Sequence, residues 1–333
     1  MTNIYNNFSK KLPLVTLPLL LTFIFGISAE DNKNMNAGTA LKNKESWKAY
    51  CLLIPTLIIF AIFMFWPFLY TIYLSFFDWN MITPTKEFVG LKNYIDVLSD
   101  RNTYRIFGNT FIYIALLLVL NCVVPYLFAF VLDLILKRFN GFYKSAMFLP
   151  AFISLVVGSI LFTWILNPVS GPVAIILGWF GIEMPIWSKL DGWVILVLSL
   201  ITSWKVFGYN FIVLYASING ISREIIEVAR LDNVPLWKIF FHIVLPMSSA
   251  TGIYVFIITI VQGLQYVFTP IKVITQGGPN YASSNAIYHV YHEAFVLYRT
   301  GHSAALSIIT MLIFFILLIL EFKFVERGIY YEN

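Results

Sequence analysis

Residues 223–246 read REIIEVARLDNVPLWKIFFHIVLP and interrupt two long apolar stretches. The segment carries too many charges to stay in lipid, and its apolar pattern is too regular for a plain connection. Between Glu224 and Leu231 the apolar positions Ile225, Val228, Ala229 and Leu231 recur at helical spacing, with Arg223, Glu227 and Arg230 on the other side. This predicts a short surface helix. Asn233 and Pro235 break it, Trp237 to Val244 resumes a helical pattern, and Pro246 marks the turn into the next apolar stretch. A helix, a turn and a second helix at a membrane face make a docking shape.

On both sides of this segment the chain is apolar. Of 333 residues, 59% are hydrophobic and 12% charged, about half the charged share of a soluble domain, which is about 25%. Runs long enough to cross a hydrocarbon core of about 30 Å recur at residues 50–73, 107–132, 146–166, 193–217, 248–268 and 304–325. Lipid offers no partner to an unpaired backbone group, so these runs must be helices. The fold class expected is therefore an all-α integral membrane protein, a bundle of six transmembrane helices with one surface helix between spans.

The net charge of +5 does not point to nucleic acid, because the basic residues are scattered through loops. Their placement is better read as topology. If the first span enters from the cytoplasm, Lys144, Arg223, Arg230 and Lys238 fall on the inner side, and the positive-inside bias puts 223–246 in the cytoplasm. Cys51 and Cys122 both lie in apolar runs, where packing is the expected role. The sequence has no Gly-Lys dipeptide and hence no Walker-type phosphate loop. Any ATP that drives this protein is bound by another chain.

Three regions are expected: an extension at 1–48, a membrane domain at 49–328 and a tail at 329–333. Within the extension, Lys10 and Lys11 precede an apolar stretch at 12–27 that looks like a secretory signal, with Ser28 and Ala29 near a cut site. Cleavage there would leave the next residues outside and invert the topology. Three readings stay open: a short extra hydrophobic span, an uncleaved peripheral segment, or an upstream extension with the working start at Met35.

Four further stretches resemble the permeases of binding-protein-dependent ABC importers of the maltose and glycerol-phosphate type. They are FVGLKNYIDVLSD at 88–100 with Asn109 and Thr110, FLPAFISLVVGSILFTWIL at 148–166, TQGGPNYASSNAIYHVYHEAF at 275–295 and GHSAALSIITML at 301–312. The 223–246 segment resembles that family's coupling loop. Glu227, Val228 and Ala229 stand for its Glu-Ala-Ala, Asp232 and Asn233 for its Asp-Gly, and Leu245 and Pro246 for its Leu-Pro close. Asn in place of Gly still tolerates a left-handed backbone. The resemblance implies a type I importer permease fold with a cytoplasmic coupling helix formed by Arg223, Glu224, Glu227, Val228, Ala229, Arg230, Asp232 and Asn233 and closed by Leu245 and Pro246. In that reading Glu227 and Arg230 meet a cleft in a nucleotide-binding subunit, and Val228, Ala229 and Leu231 fill its apolar part.

The resemblance also implies partners. They are a second permease subunit, two cytoplasmic ATP-binding subunits that hold the ATP and Mg, an extracytoplasmic solute-binding protein, a carbohydrate substrate and the lipid of a bacterial inner membrane. This chain itself would bind no cofactor and catalyse no reaction. A polyol or glycerol phosphate is the near alternative as substrate. A secondary carrier that works without ATP is the alternative of another class, but inverted repeats and intramembrane acidic residues are not evident.

Polar groups at membrane depth are the candidate pathway residues. Lys205 costs most in lipid, about 2.5 to 3.5 kcal/mol at a span centre, and it sits beside Tyr209 and Asn210. Asn121, Gln262, Gln265 and Tyr266 complete the set, since amides and aromatic rings suit sugar hydroxyls and ring faces. Gly277, Gly278 and Pro279 predict a sharp outer turn that could touch a solute-binding partner. His289, His292 and Glu293 form His-x-x-His-Glu, which is not the His-Glu-x-x-His order of zinc proteases, so no metal is expected. His242 and His302 read as isolated interfacial residues, and Asp133 and Glu321 as carboxylates near span ends that reach water.

Overall fold

The computed structural model describes residues 44–136 and 140–325, with the side chains of 44–51, Phe322, Phe324 and Val325 left aside. The apolar stretch 12–27, the packing of Cys51 and the tail 329–333 therefore lie outside the described residues. The chain divides into two compact units, one ending at Leu69 and the other starting at Tyr70.

Among the described residues, α1 is the span Leu52–Leu74. The hairpin strands β1 (Phe77–Asp78) and β2 (Glu87–Phe88) follow, paired antiparallel with Phe77 opposite Phe88. Next come α2 (Lys92–Ser99), the span α3 (Arg101–Leu134), the pair α4 (Asn140–Phe152) and α5 (Leu155–Ile165), and α6 (Pro172–Trp179). The span α7 (Trp193–Asn219) leads to α8 (Arg223–Leu231), α9 (Leu236–Met247) and the span α10 (Ser249–Thr275). The chain closes with α11 (Ala286–Phe295) and α12 (Thr300–Val325).

Five of these helices are long and apolar enough to cross a membrane, or six if α4 and α5 count as one span. The expected run 146–166 is thus not one straight helix: α4 and α5 meet at 101°. Pro150 sits in a tight turn at Leu149–Phe152, and Ile153 then takes an extended backbone. Hydropathy counts apolar residues and is blind to such a corner.

Proline also shapes the straight spans. A ring at position i removes one N–H and crowds the carbonyl four residues back. Widened turns at Ala61–Phe65, Val119–Val123 and Phe240–Val244 precede Pro67, Pro125 and Pro246, and in each the residue before the proline donates five residues back. The crowding is absorbed without ending the helix. Pro246 is therefore not a turn, as expected from the sequence; α9 runs through it, and the break comes at Ser248.

Within the unit from Tyr70 onward, α7 is the central helix. Of its apolar window 56% is buried, against 28–33% for α3, α10 and α12. One apolar core joins Tyr126 and Phe130 of α3, Phe211 and Leu214 of α7, Ile226 of α8, Phe240 of α9 and Val255 of α10. A second, toward the α11 end, joins Tyr113 and Leu117 to Leu198, Leu264, Ile271 and Tyr288. Cys122 packs half-buried beside the first core, as expected of an apolar position.

Gly208 brings α4 against α7, since a Cβ there would overlap the Met147 carbonyl and the Phe148 backbone. Gly208→Ala should therefore separate the two helices and cost about 1 to 3 kcal/mol, as overpacking does. Thermal unfolding in detergent should show a clearly lowered Tm.

Candidate functional site

The helix α8 forms as its pattern predicts. Ile226 and Ala229 are buried, while Val228 and Leu231 are 57% and 80% exposed and Ile225 also reaches the surface. The two arginines, one on each turn flanking Ile226, stay exposed in part but reach back to the end of α3. Arg223 donates to both Asp133 oxygens at 2.7 and 2.8 Å and to Asn219 Oδ1 at 2.8 Å. Arg230 donates to the carbonyl of Leu134 at 2.8 Å, one of the acceptors that the last turn of α3 leaves unpaired. Hydrogen bonding to Asp133 raises the Arg223 pKa further, so the guanidinium stays charged.

These contacts bear on three expected positions. Ala229 is buried against its own chain, and Arg230, though exposed, gives a hydrogen bond to it. Asp133 does not reach water; it is 4% exposed and ion-paired. The exposed positions of α8 include Glu224, Ile225, Glu227, Val228 and Leu231, acidic and apolar together. The periodicity of a short amphipathic helix gives two faces and does not say which finds buried acceptors.

The turn after α8 has the geometry expected of Asn233, whose φ is 54°. The N–H of Val234 reaches the Ala229 carbonyl at 2.9 Å and that of Asn233 the Arg230 carbonyl at 3.0 Å. This is the left-handed closure that usually takes glycine. Asp232 caps the helix, Leu236 opens α9, and Leu245 and Pro246 lie within α9.

Four candidate pathway residues converge. Lys205 and Tyr209 of α7 and Gln262 and Tyr266 of α10 line one cavity of about 400 Å3, together with Phe148 and Ala151 of α4. Lys205 Nζ donates to the carbonyls of Ala151 at 2.9 Å and Ile153 at 2.6 Å. Those carbonyls sit at the α4 corner, where helical partners run out. The ammonium thus closes the broken helix and at the same time borders the cavity.

Three other candidates are elsewhere. Asn210 donates to the carbonyl of Asn121 at 2.6 Å and to Thr259 at 3.1 Å, and Asn121 donates to Ser203 at 3.0 Å. The Asn121 carbonyl would ordinarily pair with residue 125, which is proline and has no N–H. Asn210 supplies the missing donor, so both asparagines are buried structural links. Gln265 lines a separate, largely apolar cavity between α10 and α12, next to Glu321, which is half-buried.

The glycine turn is folded into the bundle end and does not project from it. Gly277 has a φ of 79° and is buried against the Tyr288 ring, with Gly278 and Pro279 half-buried. Asn109 donates to the Tyr281 carbonyl at 2.8 Å, Tyr113 to that of Ser283 at 2.9 Å, and the N–H of Ala286 to Thr110 at 2.9 Å. Only Gln276 and Asn280 of the turn are exposed. Asn109 and Thr110, quoted above only as part of a resemblance, are the residues that hold it. His302 is likewise not isolated: it stands 3.2 Å from Glu293.

Residues 133–329 match the protein family described as "Binding-protein-dependent transport system inner membrane component". The chain is 30% identical over 292 residues to the "sn-glycerol-3-phosphate transport system permease protein UgpA" of Yersinia enterocolitica, covering 86% of this chain and 97% of that protein. It is 29% identical to the "Probable ABC transporter permease protein YurN" of Bacillus subtilis, covering 84% of this chain and 96% of that protein. Its fold is similar to a chain of the bacterial alginate ABC transporter solved with an alginate pentasaccharide-bound periplasmic protein. That likeness has a TM-score of 0.75 at 22% identity and covers 86% of this chain and 97% of the other.

The grip of α8 on α3 should be visible as energetic coupling. Asp133→Ala and Arg223→Ala, combined in a double-mutant cycle on thermal unfolding, should show about 1 to 2 kcal/mol of interaction, limited by the partial exposure of Arg223. Additive effects would mean that the pair is not a tie.

Proposed function

From the membership of this chain in the binding-protein-dependent transport system inner membrane component family, we propose that it lines the translocation pathway of an ATP-driven importer for a carbohydrate. It is a permease subunit, and it is not an enzyme. Hydrolysis belongs to two ATP-binding subunits that hold ATP and Mg on the cytoplasmic side. A second permease completes the pathway, and a solute-binding protein delivers the substrate from outside.

The observation that carries the reading is α8. Its arginines fasten it to the end of α3, while Val228 and Leu231 stand exposed beside Glu224 and Glu227. A helix tied this firmly to a span moves with that span. A motor subunit that grips the outer face of α8 can therefore turn its own closure into displacement of α3 and α7, exposing the substrate site to one side at a time. Glu227 supplies the polar contact and the exposed apolar pair the buried one. In this arrangement α8 lies in the cytoplasm of a bacterial cell, under the inner membrane.

The solute passes the cavity of Lys205, Tyr209, Gln262 and Tyr266, where the amide pairs with hydroxyl groups and the rings stack on sugar faces. Lys205 favours a second reading for the solute. Its two hydrogen bonds to carbonyls leave the charge uncancelled, which suits an anionic sugar or a polyol phosphate.

Leu231→Asp tests the first reading, because Leu231 is exposed and its loss spares the core. Copurification of the ATP-binding subunits should fall by about tenfold and uptake with it, since burying the new charge in an apolar contact costs more than about 1.4 kcal/mol. Glu227→Lys should act in the same direction. Unchanged uptake and association in both variants would refute the proposal.

Lys205→Gln tests the second. With an anionic solute, uptake in reconstituted vesicles should drop by about tenfold or more while a neutral sugar passes unchanged; equal effects on both would assign Lys205 to the α4 corner alone.

A further inference from the structure

At the α11 end, His289, His292 and Glu293 come together on one face of α11, and the chain turns back to add Arg299 and His302 from the start of α12. One ligand atom from each of His289, His292 and Glu293 lies within 4.8 Å of the other two. His289 Nε2 is 3.6 Å from Glu293 Oε1, and His302 Nδ1 is 3.2 Å from Glu293 Oε2. His289 and Glu293 are 2% and 1% exposed.

The cluster has an unexplained deficit. Both ring nitrogens of His289 and Nδ1 of His292 are buried with no hydrogen-bond partner among the described residues. Buried polar atoms are nearly always paired, and an orphan of this kind calls for a missing water or ion. Two imidazoles sharing one orphaned face with a carboxylate are a nitrogen and oxygen donor set suited to zinc.

We propose that His289, His292 and Glu293, with His302 beside them as a fourth donor, form a binding site for a divalent transition ion of the zinc class. The spacing i, i+3 and i+4 puts the three donors over one another on consecutive turns. Modest side-chain rotation brings them to the bond lengths of about 2.0 to 2.2 Å that zinc takes with His and carboxylate. Arg299 Nη2 donates to Glu293 Oε1 at 2.6 Å and fixes the carboxylate, in the manner of a supporting hydrogen bond around a metal ligand. The ion would pin α11 to α12 next to the Gly277 turn. The site is independent of the transport reading.

The His-Glu-x-x-His order belongs to zinc proteases, where a free position must remain for water. A structural site has no such requirement, and His302 comes from the next helix, α12.

The test is metal content of the full chain, purified without a histidine tag, stripped with chelator and dialysed against micromolar zinc. One zinc per chain is expected, and cobalt substituted for it should give the intense visible absorption of a four-coordinate site. His292→Asn, at a half-buried position, and His289→Gln should each weaken zinc retention by about tenfold or more, while His242→Asn, on the distant α9, should leave it unchanged. Thermal unfolding of each variant without metal checks that it is folded. Zinc below one tenth of stoichiometric in the unaltered chain, or equal retention by the folded His292→Asn and His289→Gln variants, would overturn the proposal.

Discussion

A backbone carbonyl in hydrocarbon must find a donor, and this protein repeatedly deprives its own carbonyls of one. Pro125 leaves the Asn121 carbonyl without an N–H, and the corner at Pro150 to Ser154 strands those of Ala151 and Ile153. Side chains from α7 replace what the helices lost: Asn210 for the first, Lys205 for the other two. The central helix is therefore more than the most buried element. It is the donor that allows its neighbours to be irregular inside a membrane, where an unpaired group costs several kcal/mol.

The same logic continues at the α8 end. The last turn of α3 leaves carbonyls open, and Arg230 takes that of Leu134 while Arg223 neutralises the buried Asp133. A surface helix is thereby fixed to a span by charge-assisted bonds at two points, with Ile226 and Ala229 packed between. Without those bonds α8 would rest on the bundle through a few apolar contacts only, and Asp133 would be a buried unpaired charge.

The opposite end is held by a different chemistry. There Asn109, Thr110 and Tyr113 bind the backbone of the loop from Tyr281 to Ala286, so a glycine turn that reads as a projecting corner is packed into the bundle. Beyond it, Glu293 collects Arg299 and the histidines. Tyr281 and Asn109 are far apart in the chain, and no local pattern reports that they meet.

Much was legible without coordinates. Composition and run length determined a helical membrane protein, and the residue types of 223–246 determined a surface helix, its left-handed stop at Asn233 and its apolar and acidic content. Lys205, Tyr209, Gln262 and Tyr266 were recoverable because polar groups are rare at that depth, and rarity is a property of the sequence. The tie of α8 to α3, the corner between α4 and α5, the structural work of Asn121 and Asn210 and the gathering of His302 with Glu293 were decided only by the tertiary structure. Each depends on which distant carbonyl, carboxylate or ring lies within hydrogen-bonding reach. Periodicity records how a residue stands relative to its own helix and carries no information about the acceptor on the next one.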